Sequence, residues 1–210
     1  MSLFRFFLIG IACLASHSLI AEELPSTVEA WISTSAQRKS LASGEAVMIA
    51  SDKSIGPTTE KAQPSTAAIV IPASAKEIWD VLQDEESAAD YLDTLIDVKV
   101  LEKTGDHSII SQKVKVGVHE VDYIVKSIPS PPDSIVFSLH SGDLQEMAGF
   151  WKLIPLGGEE ETLLIYRIAL KPNFPVPRIM IKNSLSKTLP ETLRSLRGEV
   201  LRRKRLALRE

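Results

Sequence analysis

Apolar residues late in the chain recur with helical spacing. Leu185, Leu189, Leu193, Leu196 and Val200 follow one another at steps of four, four, three and four, which draws one stripe along a helix turning every 3.6 residues. The spacing predicts a long helix over 175–205. Its opposite face carries Lys182, Lys187, Arg194, Arg197, Arg202 and Arg203. Pro190 lies inside the pattern and is expected to kink or restart the helix, because proline lacks an N–H and crowds the preceding turn. So long an apolar stripe requires a partner surface.

The preceding hundred residues supply one. Period-two patterning predicts strands over 98–104, 108–116, 119–128, 134–140, 147–155 and 162–171, separated by short turns such as Gly105-Asp106 and Gly157-Gly158. Short strands in series with short turns specify an antiparallel meander. Upstream, 44–50 and 66–71 are strand-like, and the Ser-, Thr- and Pro-rich stretch 51–64 parts them. They form either a hairpin or one strand broken by an insertion. Ser74 and Glu77 have capping-box spacing, which predicts a helix over 73–83; a second short helix follows over 84–92. Near the start, Val28, Trp31 and Ile32 follow the helix-start signal Pro25-Ser26-Thr27. A short helix is expected there, with Trp31 packed on the outside of the sheet. The order is α+β: a curved antiparallel sheet wrapped around a long C-terminal helix.

Side chains alternate across a strand, so polar positions on one face imply the other. Glu120, Asp122 and Lys126 place Val121, Tyr123 and Val125 inside. Lys113 and Lys115 place Gln112 and Val114 inside. Lys152 does the same for Trp151 and Leu153, and Arg167 and Lys171 for Leu164, Tyr166 and Ile168. The inner surface is expected to be apolar and aromatic, with Gln112 as an amide and no Asp, Glu, Lys, Arg or His. A cavity between this surface and the helix would be lined by Gln112, Tyr123, Phe137, Trp151, Leu153, Leu164, Tyr166, Ile168, Leu189 and Leu193, all candidate ligand-binding residues.

The N-terminus changes the expected address. A basic start over 1–5, apolar residues to Ala21, then Glu22 and Glu23 read as a secretory signal peptide cleaved after Ala21. The expected divisions are a signal peptide at 1–21, a lead-in segment at 22–43 and the main domain at 44–210. Cys13 is the only cysteine, so the cleaved chain has no disulfide. The expected location is the periplasm; the alternatives are an uncleaved membrane anchor and a lipoprotein attached through Cys13.

Charge is unevenly placed. Residues 178–210 carry a net +7 and residues 22–177 a net −11. A basic helix end attracts anionic headgroups, although cations also suit the last helical turns through the helix dipole. Contact with an anionic membrane through the basic C-terminal helix is one expectation, and a solvated helix end is the other. Export argues against nucleic acid. The histidines His107, His119 and His140 lie far apart, so no metal site is expected, and no cofactor motif is present.

Several stretches resemble the START-like superfamily, also called SRPBCC. Ile71-Pro72-Ala73-Ser74-Ala75-Lys76-Glu77-Ile78-Trp79-Asp80-Val81-Leu82 resembles its strand-to-helix signature. Gly149-Phe150-Trp151-Lys152-Leu153-Ile154-Pro155 and Glu161-Thr162-Leu163-Leu164-Ile165-Tyr166 resemble its last two strands. Pro175-Val176-Pro177 and Leu189-Pro190-Glu191-Thr192-Leu193 resemble the gripping helix of exported bacterial members. The superfamily includes lipid-transfer START domains, coenzyme Q-binding proteins, polyketide cyclases and pollen-allergen-like proteins. The resemblance implies the helix-grip fold and a cavity for a hydrophobic ligand. The stretch 51–64 departs from a compact first strand.

Three functions fit these residues. The first is binding or transfer of a lipid or quinone-like molecule in the cavity, since apolar pockets with a few polar tips suit such ligands. The second is a polyketide cyclase-like enzyme, with His140 or Asp143 at the mouth as the nearest acid–base candidates; the inner face itself shows no catalytic pair. The third is a protein-interaction module without ligand. Binding without catalysis is the leading expectation.

Overall fold

In the computed structural model, the residues described are 31–50, 59, 62–116, 119–158 and 160–209. The signal segment and the helix expected after Pro25-Ser26-Thr27 lie outside them, except for Trp31 and Ile32, which precede a helix instead of occupying one. That helix, α1 (Ser35–Ala42), starts at a capping box: the Thr34 hydroxyl accepts from the Gln37 N–H, and the Gln37 side chain returns to the Thr34 N–H. β1 (Val47–Ile49) and β2 (Ser65–Ile71) pair antiparallel, with Val47 opposite Ala68, so the two strand-like stretches are a hairpin. α2 (Ala75–Leu82) has the expected capping box between Ser74 and Glu77. A short 3-10 helix (Glu86–Asp90) follows.

Six strands then form the meander: β3 (Leu95–Lys103), β4 (Ser108–Val116), β5 (His119–Ser130), β6 (Ser134–Gly142), β7 (Leu144–Leu156) and β8 (Glu161–Pro172). β3 starts three residues earlier than the alternation suggests, and a register shift between Leu95 and Asp97 hides that turn of the pattern. β8 returns to pair with β2, which gives an eight-stranded antiparallel sheet in the order β1-β2-β8-β7-β6-β5-β4-β3. The long helix α3 (Arg178–Ala207) lies across the β1–β2 side of this sheet and against α2. It runs through Pro190 as one helix, with Pro190 on its buried side. The architecture is the helix-grip fold.

Two apolar layers hold the sheet. On the inner face, Leu185, Leu189, Leu193, Leu196 and Val200 of α3 pack against Ala67, Ile69, Leu153, Leu164 and Ile168. On the outer face, Trp31, Ile32 and Leu41 cover Ala68, Val70, Phe150, Leu163 and Ile165; the Trp31 and Phe150 rings meet edge to face at 6.0 Å. From Thr66 to Ile71 every residue of β2 is therefore buried, as a strand covered on both faces should be. Arg167 points outward by alternation, as the sequence indicates, yet it is fully buried under this second layer, 6.0 Å from the Phe150 ring.

Leu193 is fully buried between helix and sheet. Leu193→Ala should cost about 2–5 kcal/mol, the range for removing a buried leucine side chain. The urea midpoint of the variant, compared with wild type at equal slope, measures it.

Candidate functional site

α3 covers only part of the inner face. The uncovered part, over β4, β5 and β6, is roofed by the end of α2, the 3-10 helix and the turn that leads into β3. Between roof and sheet lies a cavity of about 190 Å³. The sheet contributes Ile110, Gln112 and Val114 from β4, Tyr123, Val125 and Ser127 from β5, Ile135 and Phe137 from β6, Met147 and Trp151 from β7, and Tyr166 and Ile168 from β8. The roof contributes Leu82, Asp84, Glu85, Ala88, Tyr91 and Leu92, and α3 contributes Thr192 and Leu196.

Six of the ten candidate residues, Gln112, Tyr123, Phe137, Trp151, Tyr166 and Ile168, thus meet at one cavity. The other four do not line it. Leu153, Leu164, Leu189 and Leu193 are at most 2% exposed and fill the solid core where α3 lies directly on the sheet. Alternation gives the face of a residue but not whether that face is covered. The cavity-lining residues of the sheet include no carboxylate. The roof, about which alternation says nothing, brings Asp84 and Glu85 to the rim.

Register explains how the cavity floor is built. Gln112 and Tyr123 are direct partners across β4 and β5. Trp151 and Tyr166 are direct partners across β7 and β8, and their rings stack at 3.8 Å with 4° between planes. Phe137 tilts against Tyr166 at 6.1 Å. Its place depends on Gly149: a Cβ there would collide with the Phe137 ring and with the Arg167 carbonyl. Gly142 stands opposite Tyr123 at φ +120, a conformation open to glycine.

The polar groups that the sheet presents to the cavity are neutral. Burial pushes the Tyr123 and Tyr166 phenols well above their usual range, and Tyr123 adds to the shift at Tyr166. Burial also raises Tyr91. All three stay protonated at physiological pH, so they donate hydrogen bonds and do not serve as bases. Among the described residues, none hydrogen-bonds the side chains of Gln112, Tyr123 or Tyr166, which leaves them available to a ligand.

Three carboxylates of the roof, Asp84, Glu85 and Glu86, are engaged. Arg203 bridges Asp84 at 2.8 Å, the Ser87 hydroxyl at 2.8 Å and Glu199 at 2.7 Å. Arg202 adds two hydrogen bonds to Glu199 at 2.7 Å each. Lys103 holds Glu85 at 2.6 Å and the Gln83 carbonyl at 2.7 Å, and the Ser108 hydroxyl donates to Glu85 at 3.1 Å. Glu86 accepts from the Val100 N–H at 3.1 Å. The roof is thus fastened to α3 on one side and to β3 and β4 on the other. Spacing along the chain could not show these pairings, because Arg203 and Asp84 are far apart in sequence.

The histidine candidates lie elsewhere. His140 is exposed on the outward face of β6, and His107 sits beside Glu102 at 3.2 Å on the far edge. The Asp143 carboxylate accepts from the Asp122 N–H at 3.1 Å. Among the described residues there is no group of His, Cys, Asp and Glu able to hold a metal ion.

Comparison with known proteins agrees with this fold. The model of a family described as polyketide cyclase/dehydrase and lipid transport matches residues 71–197. The fold is similar to that of the Zhui aromatase/cyclase from Streptomyces sp. R1128, at TM-score 0.63 and 19% identity, covering 70% of this chain and 98% of that one. A START superfamily protein from Mycobacterium smegmatis is similar at TM-score 0.60 and 21% identity, covering 66% and 97%. A STAR-related lipid transfer protein from Xanthomonas axonopodis is similar at TM-score 0.58 and 13% identity, covering 74% and 98%. No curated protein sequence gives a match.

Glu199 is 9% exposed, and Arg202 first, then Arg203, hold its carboxyl at about 2, below the usual 4.5. A carboxylate whose pKa is lowered by folding stabilises the fold above its unfolded value and loses that contribution as pH falls towards the folded one. The acid limb of stability should therefore steepen from about 4.5 down towards 2. Glu199→Gln should be less stable at neutral pH and show a flatter acid limb. Urea midpoints of both proteins across that range measure the difference.

Proposed function

Because the chain belongs to the polyketide cyclase/dehydrase and lipid transport family of the START-like superfamily, we propose that it binds and carries a hydrophobic small molecule, a lipid or a quinone-like ring, in the cavity between sheet, roof and α3. One observation carries the reading. The cavity is apolar, its unengaged polar groups are neutral donors, and the carboxylates at its rim are held in ion pairs. Such a site receives an apolar body and orients one carbonyl or hydroxyl. Its buried tyrosines stay protonated and its rim carboxylates are ion-paired, which favours binding over general acid–base catalysis.

The size limits what enters. At about 190 Å³ the cavity accepts one ring system or a short stretch of chain. Each buried methylene contributes about 0.8 kcal/mol, so a short stretch already gives useful affinity. The Trp151–Tyr166 stack offers a flat wall to a ring, and Gln112 with Tyr123 offers the polar contact. The proposed setting is the periplasm, supported by the signal-like pattern over 1–21.

Native mass spectrometry of the full chain, purified from the bacterial envelope and then solvent-extracted, tests this. The expected result is a discrete added mass matching a lipid or quinone, on a chain that starts at Glu22. Val114 is only half-buried where it lines the cavity, so Val114→Trp should fill the space with the fold intact by circular dichroism and abolish the added mass. Wild-type protein free of any extractable molecule would overturn the proposal.

A further inference from the structure

Six of the basic residues of α3 fall into two groups with different surroundings. Near the C-terminus Arg202, Arg203 and Lys204 pair with Glu199, Asp84 and Glu77, and Lys204 also reaches the Pro72 carbonyl. Their charge is neutralised by the fold. The first turns are different. Arg178, Lys182 and Lys187 are exposed, and none has a carboxylate partner among the described residues. The sequence from 171 to 190 holds four cations and no Asp or Glu.

The same end presents apolar side chains to water. Ile179 is 61% exposed, Met180 60% and Phe174 39%. Large apolar residues this exposed, gathered in seven positions and rimmed by cations, mark an interaction surface. Behind them opens a groove of about 990 Å³ between α3, β1, β2 and β8. Met48, Leu170, Val176 and Ile181 line its floor, and Lys171 and Arg178 its rim; no described lining residue is acidic. α3 also begins at Pro177 without a side-chain cap or an acidic residue in its first turn, which leaves its positive end open to anions.

We infer that this end of the molecule docks on an anionic lipid bilayer, with Ile179 and Met180 in the headgroup–acyl boundary and Arg178, Lys182 and Lys187 on the phosphates. Charge complementarity selects this occupant: an acidic bilayer supplies an apolar layer for the exposed Ile179 and Met180 and a dense anionic plane for the exposed cations. No described helix is long and apolar enough to cross a membrane. The docked end is the start of α3 and not its more basic C-terminus. The groove then faces the bilayer. The inference stands independently of what fills the central cavity.

Co-sedimentation of the full chain with vesicles tests it. Phosphatidylglycerol–phosphatidylethanolamine vesicles should retain the protein at low salt and release it at high salt, and phosphatidylcholine vesicles should not retain it. Ile179→Ser with Met180→Ser, and separately Lys182→Glu with Lys187→Glu, should each weaken retention at least about tenfold. Both pairs lie on the exposed surface, and circular dichroism checks the fold. Arg205→Glu with Arg209→Glu, at the exposed C-terminal end, should bind as wild type. Equal retention on both vesicle types, or greater loss in the Arg205→Glu/Arg209→Glu protein, would overturn the inference. So would a wild-type dimer in sedimentation velocity that Ile179→Ser with Met180→Ser makes monomeric, since the patch would then face a second copy. Native mass of the same samples reads the cavity ligand, so the two proposals fail separately.

Discussion

A single helix cannot cover an eight-stranded sheet. Strands sit about 4.8 Å apart, so eight of them span roughly 34 Å, whereas a helix with its side chains is about 10 Å wide. α3 satisfies its apolar stripe against one side of the sheet, over β1, β2 and β8. The inner faces of β4, β5 and β6 are equally apolar and remain uncovered. Everything distinctive about the site follows from how this remainder is closed.

It is closed by a segment poorly suited to packing. The 3-10 helix Glu86–Asp90 has no buried residue, and what it offers the sheet is mainly Leu82, Ala88, Tyr91 and Leu92 at its margins. A roof with so little apolar surface cannot collapse onto the sheet as α3 does, so space remains beneath it. Ion pairs supply the fastening instead: Lys103 to Glu85 on one side, Arg203 to Asp84 on the other. Such pairs are partly exposed, and exposed pairs contribute modestly. The buried anchor is Glu199, which shares its two oxygens between Arg202 and Arg203. Charge therefore holds the roof in place, while the chamber beneath it contains only neutral polar groups.

The legibility of the sequence follows the range of the forces involved. Period-two alternation is local, and it placed Gln112, Tyr123, Trp151 and Tyr166 on the inner face. The capping box at Ser74 is local too, and α2 starts where it says. The stripe from Leu185 to Val200 is buried throughout. Long-range partners are not written locally. Nothing near Arg167 indicates that Trp31 and Ile32 fold back over its face and bury it. Nothing near Leu153 or Leu164 says that α3 lies directly above them, whereas Trp151 and Ile168 border open space. Nothing near Asp84 or Glu85 shows that Arg203 and Lys103 stand beside them.

Net charge has the same weakness. The +7 of residues 178–210 suggests one basic surface, with the densest charge near the C-terminus. Folding redistributes it. The run Arg202-Arg203-Lys204 meets Glu199, Asp84 and Glu77, and much of its field is spent inside the molecule. The sparser cations at the start of α3 keep theirs, because the fold brings no described carboxylate into an ion pair with them. One helix thus carries cations with two different uses, closure of the roof at its end and an outward field at its beginning. Counting charges along the sequence cannot separate the two; the fold does so by bringing the roof, and with it Asp84, to one end of the helix alone.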